Sequence, residues 1–321
     1  MYHDKKVLLI AGGGTLGTYT SKELLRLGAR VDVICPEEKC SDDPHLRFIQ
    51  SYDTEELLKE LFAKTRYDGI VNFLHYPDVE EYKKIHPFLM ANTDHLIFLS
   101  SYRVYADEQH PLTETAPRIH EVYAGDALLA KDTYGVSKGL GEDYLFGERR
   151  GERWTIVRPV ISFSKIRLDL VLNSKLQILK RAEENRPLLL PASIKNFGAG
   201  IDWAGNSGKL IANLLFKEAA IGEVFTVCSG HGMTWGEVAD AYVAETGVRI
   251  EWVSDGAYLE TFSASKNPDG IKIMWHYDRK FNRDIDSTKI LSVTGLTKND
   301  FATVQEGIRA ELSLLNWKKE K

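Results

Sequence analysis

Along the first half of the chain, short unbroken apolar runs alternate with stretches whose apolar positions recur every three or four residues. Residues 7–11 form one such run and are predicted as a buried strand. A glycine-rich turn follows, then an amphipathic helix through Leu27, which Gly28 ends. Residues 31–34 predict a second strand. Helix 54–64 then leads to strand 69–74, helix 78–90 to strand 96–100, and helix 131–149 to strand 154–157. Strands that are apolar on both faces and separated by helices pack as a parallel sheet covered on both sides. The expected fold class is therefore α/β, a doubly wound, Rossmann-type parallel sheet.

The regular order weakens after Pro159. Residues 160–195 predict a helix at 170–182 and a loop rich in proline and leucine. Residues 201–204 precede a further helix, 223–227 read as a strand, and an amphipathic helix at 301–317 closes the sequence. The expected division is a sheet domain of residues 1–160 with parts of 196–228, and a smaller mixed α/β lobe from 161–195 and 229–321. No repeat or low-complexity segment is visible.

The turn between the first strand and helix reads Ala11-Gly12-Gly13-Gly14-Thr15-Leu16-Gly17. Glycine suits a sharp strand-to-helix turn and lets backbone approach a pyrophosphate, while the helix start offers free N–H groups. Two registers fit: Gly12, Gly14 and Gly17 as G-x-G-x-x-G, or Ala11, Gly14 and Gly17 with alanine in the first place. Such a turn predicts a dinucleotide site in the sheet domain and leaves the smaller lobe for substrate. An acid at the tip of the second strand would bind the adenosine ribose. That place holds Cys35, Asp32 lies inside the strand, and Glu37 or Glu38 could substitute. No arginine follows directly, which favours NAD over NADP.

The second informative stretch is Tyr134-Gly135-Val136-Ser137-Lys138. On a helix, residues four apart share a face, so phenol and ammonium could reach one ligand. A nearby cation lowers a phenol's pKa from ~10 by roughly 1–3 units, towards proton exchange near neutrality. An ordinary surface pair has the same spacing; the weight comes from the glycine turn and from Ser100-Ser101 at the fourth strand end.

Composition narrows the classes. The 321 residues carry a net charge of -5, against a general nucleic-acid binder. No apolar run reaches the ~18 residues of a membrane span, and the polar residues 1–6 are not a signal peptide. Three cysteines are too few for a disulfide framework or a thiolate zinc site, and the nine histidines form no metal pattern. A reduced cytoplasm is the expected location.

Five pieces occur in an order that resembles the extended short-chain dehydrogenase/reductase family, which includes nucleotide-sugar epimerases and dehydratases. They are the turn of Ala11 to Gly17; Ser100-Ser101-Tyr102-Arg103-Val104-Tyr105; Tyr134 to Lys138; Val157-Arg158-Pro159; and Ile201-Asp202-Trp203-Ala204. By this resemblance Ser101 would hydrogen-bond the reacting oxygen and Tyr134 would be the general acid/base. Lys138 would bind the nicotinamide ribose and depress the tyrosine pKa. Asp53 would contact adenine, with a place at the start of helix 54–64 as its rival reading. Pro159 would lie beside the nicotinamide, and Asp202 would anchor the crossing to the second lobe.

Departures from the family matter as well. Dehydratases follow the serine or threonine with Asp-Glu; here stand Tyr102 and Arg103, against elimination. Residues 160–164 replace the usual loop after the proline, and residues 106–132 are long enough to fold over a substrate. The resemblance therefore implies an NAD-dependent epimerase acting on a nucleotide-linked sugar. A nicotinamide-dependent reductase is the alternative, and a non-catalytic cofactor-sensing or RNA-binding relative the reading from another class. Arg103, Lys165, Arg167, Lys195 and Arg279 are candidate diphosphate partners, with solvated surface charge as the rival. The family's dimers imply a homodimer through helices 78–90 and 131–149, with Tyr82, Ile85, Leu89, Leu140, Tyr144 and Leu145 as candidate contacts.

Overall fold

A computed structural model describes residues 2–317; Met1 of the polar leader lies outside them. The first half runs β1 (Lys6–Ile10), α1 (Thr15–Arg26), β2 (Arg30–Cys35), β3 (Leu46–Gln50), α2 (Glu55–Lys64), β4 (Tyr67–Asn72), α3 (Val79–Ala91) and β5 (Thr93–Leu99). A long connection holding the short α4 (Ile119–Val122) leads to α5 (Gly135–Gly147) and β6 (Trp154–Pro159). The remainder is β7 (Ile161–Phe163), α6 (Lys175–Glu183), β8 (Pro187–Pro191), β9 (Ile201–Trp203), α7 (Ala204–Leu214), β10 (Glu223–Val227), α8 (Trp235–Thr246) and β11 (Arg249–Val253). Then come α9 (Asp255–Glu260), α10 (Pro268–Met274), α11 (Thr288–Thr294) and α12 (Val304–Leu314).

Seven strands make one sheet in the order β10-β6-β5-β4-β1-β2-β3, and every pairing is parallel. The order reverses between β1 and β4. In open α/β sheets this reversal leaves a crevice at the carboxyl ends of the strands, where ligands bind. Leu9, Val33 and Val71 face one apolar layer, and Leu8, Ile10 and Ile70 the other, as expected of strands buried on both faces. Beyond the sheet, a separate apolar cluster gathers Leu168, Leu170, Leu188, Leu190, Trp235, Tyr242 and Trp275.

Local chemistry explains most boundaries. Side-chain oxygens of Thr54 and Asp78 cap α2 and α3, so Asp53 is not the capping residue. Three expectations need correction. The helix expected at 131–149 starts at Gly135, because Asp132 Oδ1 accepts the N–H groups of Tyr134 (2.9 Å) and Gly135 (3.1 Å). Tyr134 is thus the residue before the helix, not a member of it. The helix expected at 170–182 begins at Lys175 under the Ser174 cap, after Val171 turns with φ 57°. The supposed proline- and leucine-rich loop contains β8, which pairs in parallel with β11; its two prolines hide it in a propensity reading.

Most proposed dimer contacts lie inside the protomer. Tyr82, Leu89, Tyr144 and Leu145 are buried, Ile85 packs partly against them, and Leu140 is left exposed. Among the described residues no helix is long and apolar enough to cross a membrane.

Candidate active site

A cleft of about 430 Å³ opens at the carboxyl ends of β1, β5 and β6. One end is lined by Ala11, Gly14, Thr15, Leu16 and Gly17; the other by Ser101, Tyr102, Arg103, Tyr134, Asp278 and Arg279, with Pro159 between.

The glycine turn has distinct demands at each position. A Cβ on Gly17 would stand 2.2 Å from the Gly12 carbonyl oxygen, so only glycine lets α1 sit this close to the end of β1. A Cβ on Gly14 would meet nothing within 4 Å; here the backbone faces open space. Gly14 also precedes α1 without any side-chain cap, which leaves first-turn N–H groups free for a ligand. Ala11 adopts φ 53°, a left-handed conformation that glycine takes more readily.

Asp32, inside β2, is engaged: Arg47 donates to both its oxygens and the Tyr67 hydroxyl donates to Oδ2. Glu37 remains, its carboxylate close enough to the turn that a Cβ on Gly13 would lie 2.7 Å from Oε2. Lys39, also at the turn, donates to the Gly13 carbonyl. Asp53 is half-buried beyond β3, and no side-chain hydrogen bond engages it among the described residues.

Ser101 and Tyr134 face the same end of the cleft. Lys138 does not line it: the ammonium is buried beneath, donating to the carbonyls of Leu74 (3.2 Å) and Leu99 (2.5 Å). Burial pushes Lys138 down to about 7, although Glu142 pulls the other way. The cation set against Tyr134 is Arg103, whose guanidinium carbon lies 5.2 Å from the ring centre. The His75 ring also packs against Tyr134, with ring centres 4.9 Å apart. Burial lowers the pKa of His75, helped by Lys138, and its Nδ1, sealed from solvent, has no hydrogen-bond partner among the described residues.

Of the other expected residues, Pro159 lines the cleft while Arg158 turns away into a buried pair with Glu142 (2.8 and 2.6 Å). Asp202 lies in the interior, accepting from the N–H groups of Trp203 and Ser229 and from Asn206, and takes no part in the cleft. Arg103, Arg167 and Arg279 reach the cleft; Lys195 instead lies over Trp252, and Lys165 is exposed. No residue of the 106–132 connection is among the cleft lining; Ala106, Ile119 and Leu129 pack on Ile273, Tyr277 and Phe281 instead. Asp278, His75 and Asp132 carry no local sequence signal for their places. Asp278 arrives through an irregular turn, Trp275–Arg279, that extends α10 with Tyr277 at φ -112° and ψ 15°.

No protein-family model matches the chain, and no curated protein matches it in sequence. Solved structures do match it along almost their whole length. The UDP-glucose 4-epimerase of Thermus thermophilus, in complex with NAD, is 18% identical over 97% of this chain and 99% of that one, at a TM-score of 0.64. The Bordetella bronchiseptica enzyme WbmG, in complex with NAD and UDP, is 17% identical over 96% and 94%, at 0.66. A short-chain dehydrogenase/reductase superfamily protein from Agrobacterium tumefaciens with bound NAD is 14% identical over 97% of each chain, at 0.68. This chain shares the fold of these three structures. Within that fold the cleft lies beside the strand-order reversal between β1 and β4, with the glycine turn at one end and the Ser101–Tyr134 pair at the other.

Proposed function

We propose that the protein is an NAD-dependent epimerase of a nucleotide-linked sugar. The observation that carries the proposal is one cleft with an uncapped helix start and open glycine at one end, and a serine and a tyrosine at the other. The cleft residues fit a dinucleotide. Gly14 leaves room for a phosphate against backbone, Gly17 keeps α1 close, and Glu37, unlike Asp32, has no arginine on its carboxylate among the described residues and is assigned to an adenosine ribose. Asp53, beyond β3 and outside the cleft lining, is assigned to the adenine on the family resemblance alone. When bound, the dinucleotide supplies an acceptor and donor of hydride.

The chain's own part is proton handling. Tyr134 takes the proton of a substrate hydroxyl and later returns it, and Ser101 hydrogen-bonds the same oxygen while it bears charge. Lys138 belongs to the site from below, holding the ends of β4 and β5 through the Leu74 and Leu99 carbonyls. Releasing and re-presenting the substrate between the two proton transfers would invert the carbinol. A homodimer through α3 and α5 is part of the same reading, with Leu140 as the exposed apolar contact.

Tyr134→Phe is the test. Turnover should fall by about a hundredfold or more, the usual weight of a positioned acid/base, while NAD binding measured by calorimetry changes little. Turnover that survives the substitution overturns the role of Tyr134. NAD retained through purification is the outcome expected of an epimerase; an empty site that consumes added nicotinamide stoichiometrically assigns a reductase instead.

A further inference from the structure

Ser101 and Tyr134 come from separate stretches of chain, and one carboxylate joins them. Asp132 Oδ1 accepts the Tyr134 N–H at 2.9 Å and the Gly135 N–H at 3.1 Å. Its other oxygen, Oδ2, accepts from Arg103 Nη2 at 2.8 Å. Arg103 in turn lies over the Tyr134 ring, its guanidinium carbon 5.2 Å from the ring centre, and its backbone N–H donates to Ser101 Oγ at 3.2 Å. The Asp132 side chain is buried, and a Cβ on Gly135 would stand 2.8 Å from Oδ2. Glycine at 135 is therefore what lets the carboxylate press against the start of α5.

A phenol is aimed by its backbone and by two side-chain torsions, and a hydrogen bond to the backbone governs only the first. The Tyr134 ring has two neighbours for the rest, the His75 imidazole and the Arg103 guanidinium. A guanidinium within ~6 Å of a ring centre is attracted to its face. Arginine is long and rich in rotamers, however, so it steadies a ring only where it is itself held. Among the described residues the Arg103 side chain has one hydrogen-bond partner, Asp132; Asp278 Oδ2 stands off at 3.7 Å from Nε.

We propose that Asp132 is the positioning residue of the proton-handling pair: one oxygen fixes the Tyr134 backbone, and the other, through Arg103, fixes its ring. This rests on the reading that Tyr134 exchanges the substrate proton. Because the Arg103 N–H also holds Ser101 Oγ, hydroxyl and phenol keep one spacing. Misplacing a reacting group by about 1 Å costs on the order of a hundredfold in rate.

The test labels the protein with 3-fluorotyrosine and follows the fluorine NMR line of Tyr134, identified by its absence from Tyr134→Phe, with and without NAD. Asp132→Asn keeps an acceptor for the two N–H groups but gives up the charge that holds the guanidinium, and it should move that line. Asp132→Ala frees the backbone as well and should move it further. Arg103→Met should also move it, and adding Asp132→Asn to Arg103→Met should then move it no further, because Oδ2 has nothing left to hold. Remote tyrosines such as Tyr2 and Tyr258, bonded at Ala212 and Leu172, should keep their lines. With UDP-glucose as the substrate probe, kcat of Asp132→Ala should fall about tenfold or more at a KM within about twofold, and Asp132→Asn should keep part of the rate. The fluorine lines decide on their own where UDP-glucose is not turned over, and Asp132→Asn and Arg103→Met decide where Asp132→Ala does not fold. A Tyr134 line that stays in place overturns the inference. So does a shift shared by the remote tyrosines, or an Asp132→Asn shift that persists in full beside Arg103→Met. Turnover that survives Tyr134→Phe overturns the reading beneath, and does so with Asp132 untouched.

Discussion

Arg158 shares Glu142 with the start of the segment that follows β5, Arg103 belongs to that segment, and the two are matched in different ways. Arg158 spends its fork on both oxygens of Glu142 and its remaining nitrogen on the Glu114 carbonyl, at 2.9 Å. Ser100 donates to the same Glu142, at 2.5 Å, and Arg118, 3.4 Å from Glu142, has Glu121 and Asp143 besides. Burial disfavours the Arg158 charge, and Glu142 outweighs burial, so its pKa is raised. In the second cluster Arg103, Arg279 and Arg283 crowd Asp278. Burial alone would raise Asp278; Arg279, Arg103 and Arg283 outweigh it and hold the carboxyl below its ordinary value. Burial of Arg283, by contrast, wins over its neighbours and lowers its pKa. One cluster is closed and fastens β5, β6 and α5 together; in the other, three arginines crowd one carboxylate, and Arg103, Arg279 and Asp278 line the cleft.

The largest effect should come from opening the closed cluster. Glu142→Gln strands Arg158 in the interior, and breaking a buried pair from one side costs about 3–5 kcal/mol. Denaturant unfolding measures it, and a Glu142→Gln/Arg158→Met double variant should recover much of the loss. A loss near zero in the single variant would mean that water reaches the pair, and the contrast would dissolve. Asp278→Asn removes the one carboxylate that three arginines share and should cost less, about 2–3 kcal/mol, because the cleft can admit an ion in its place. Added sulfate stabilises proteins generally. The comparison is therefore between variants: sulfate should raise the melting temperature of Asp278→Asn more than that of Glu142→Gln. Equal responses would place both clusters in the same class.

Neither cluster could be read in the sequence, and the reason is distance along the chain. Asp278 meets Tyr102 across 176 positions, and Arg158 meets Glu142 from a different element; composition counts their charges without pairing them. What was legible is what local stereochemistry dictates. The apolar runs that became β1, β2, β4, β5 and β6 must be buried on both faces, and the glycines at 12 and 17 answer a backbone contact that no other residue permits. Ser101 and Tyr134 could be singled out because their spacing repeats a known pattern, and they do face one cleft. Lys138 keeps the four-residue spacing in its backbone, its N–H donating to the Tyr134 carbonyl at 3.0 Å, but its ammonium is bonded to the Leu74 and Leu99 carbonyls, contacts that no local spacing announces.

Lys138 also sharpens the comparison, as a buried cation with another way out. It is bonded to carbonyls and has no carboxylate partner among the described residues, but lysine, unlike arginine, can lose its proton. Its folded pKa of about 7 lies well below the ordinary 10.5. Between those values the unfolded chain holds a proton that the folded chain has released, so stability rises with pH. Wild type should therefore gain about 2 kcal/mol over Lys138→Met between roughly pH 7.5 and 9, since each pH unit across such a window is worth about 1.4 kcal/mol. A pH-independent difference would mean that Lys138 stays charged, and that the carbonyl cage alone compensates it.

The smallest effect belongs to the end of the cleft where negative charge would be met by backbone alone. Ala11, Gly14 and Gly17 line it with no charged side chain among them, and the N–H groups beyond Gly14 stand where the guanidiniums stand at the other end. Ala11 holds φ 53°, which costs an L-residue roughly 1–2 kcal/mol, whereas glycine tolerates it at some cost in unfolded-chain entropy. Ala11→Gly should accordingly stabilise the protein by about 0.5–1 kcal/mol and leave NAD affinity within about twofold, because the turn's shape is already set by Gly12 and Gly17. Thermal unfolding with and without NAD reads both quantities. If the substitution destabilised the protein instead, the Ala11 methyl would be making a packing contact worth more than the strain. The backbone end would then depend on its side chains as much as the arginine end does.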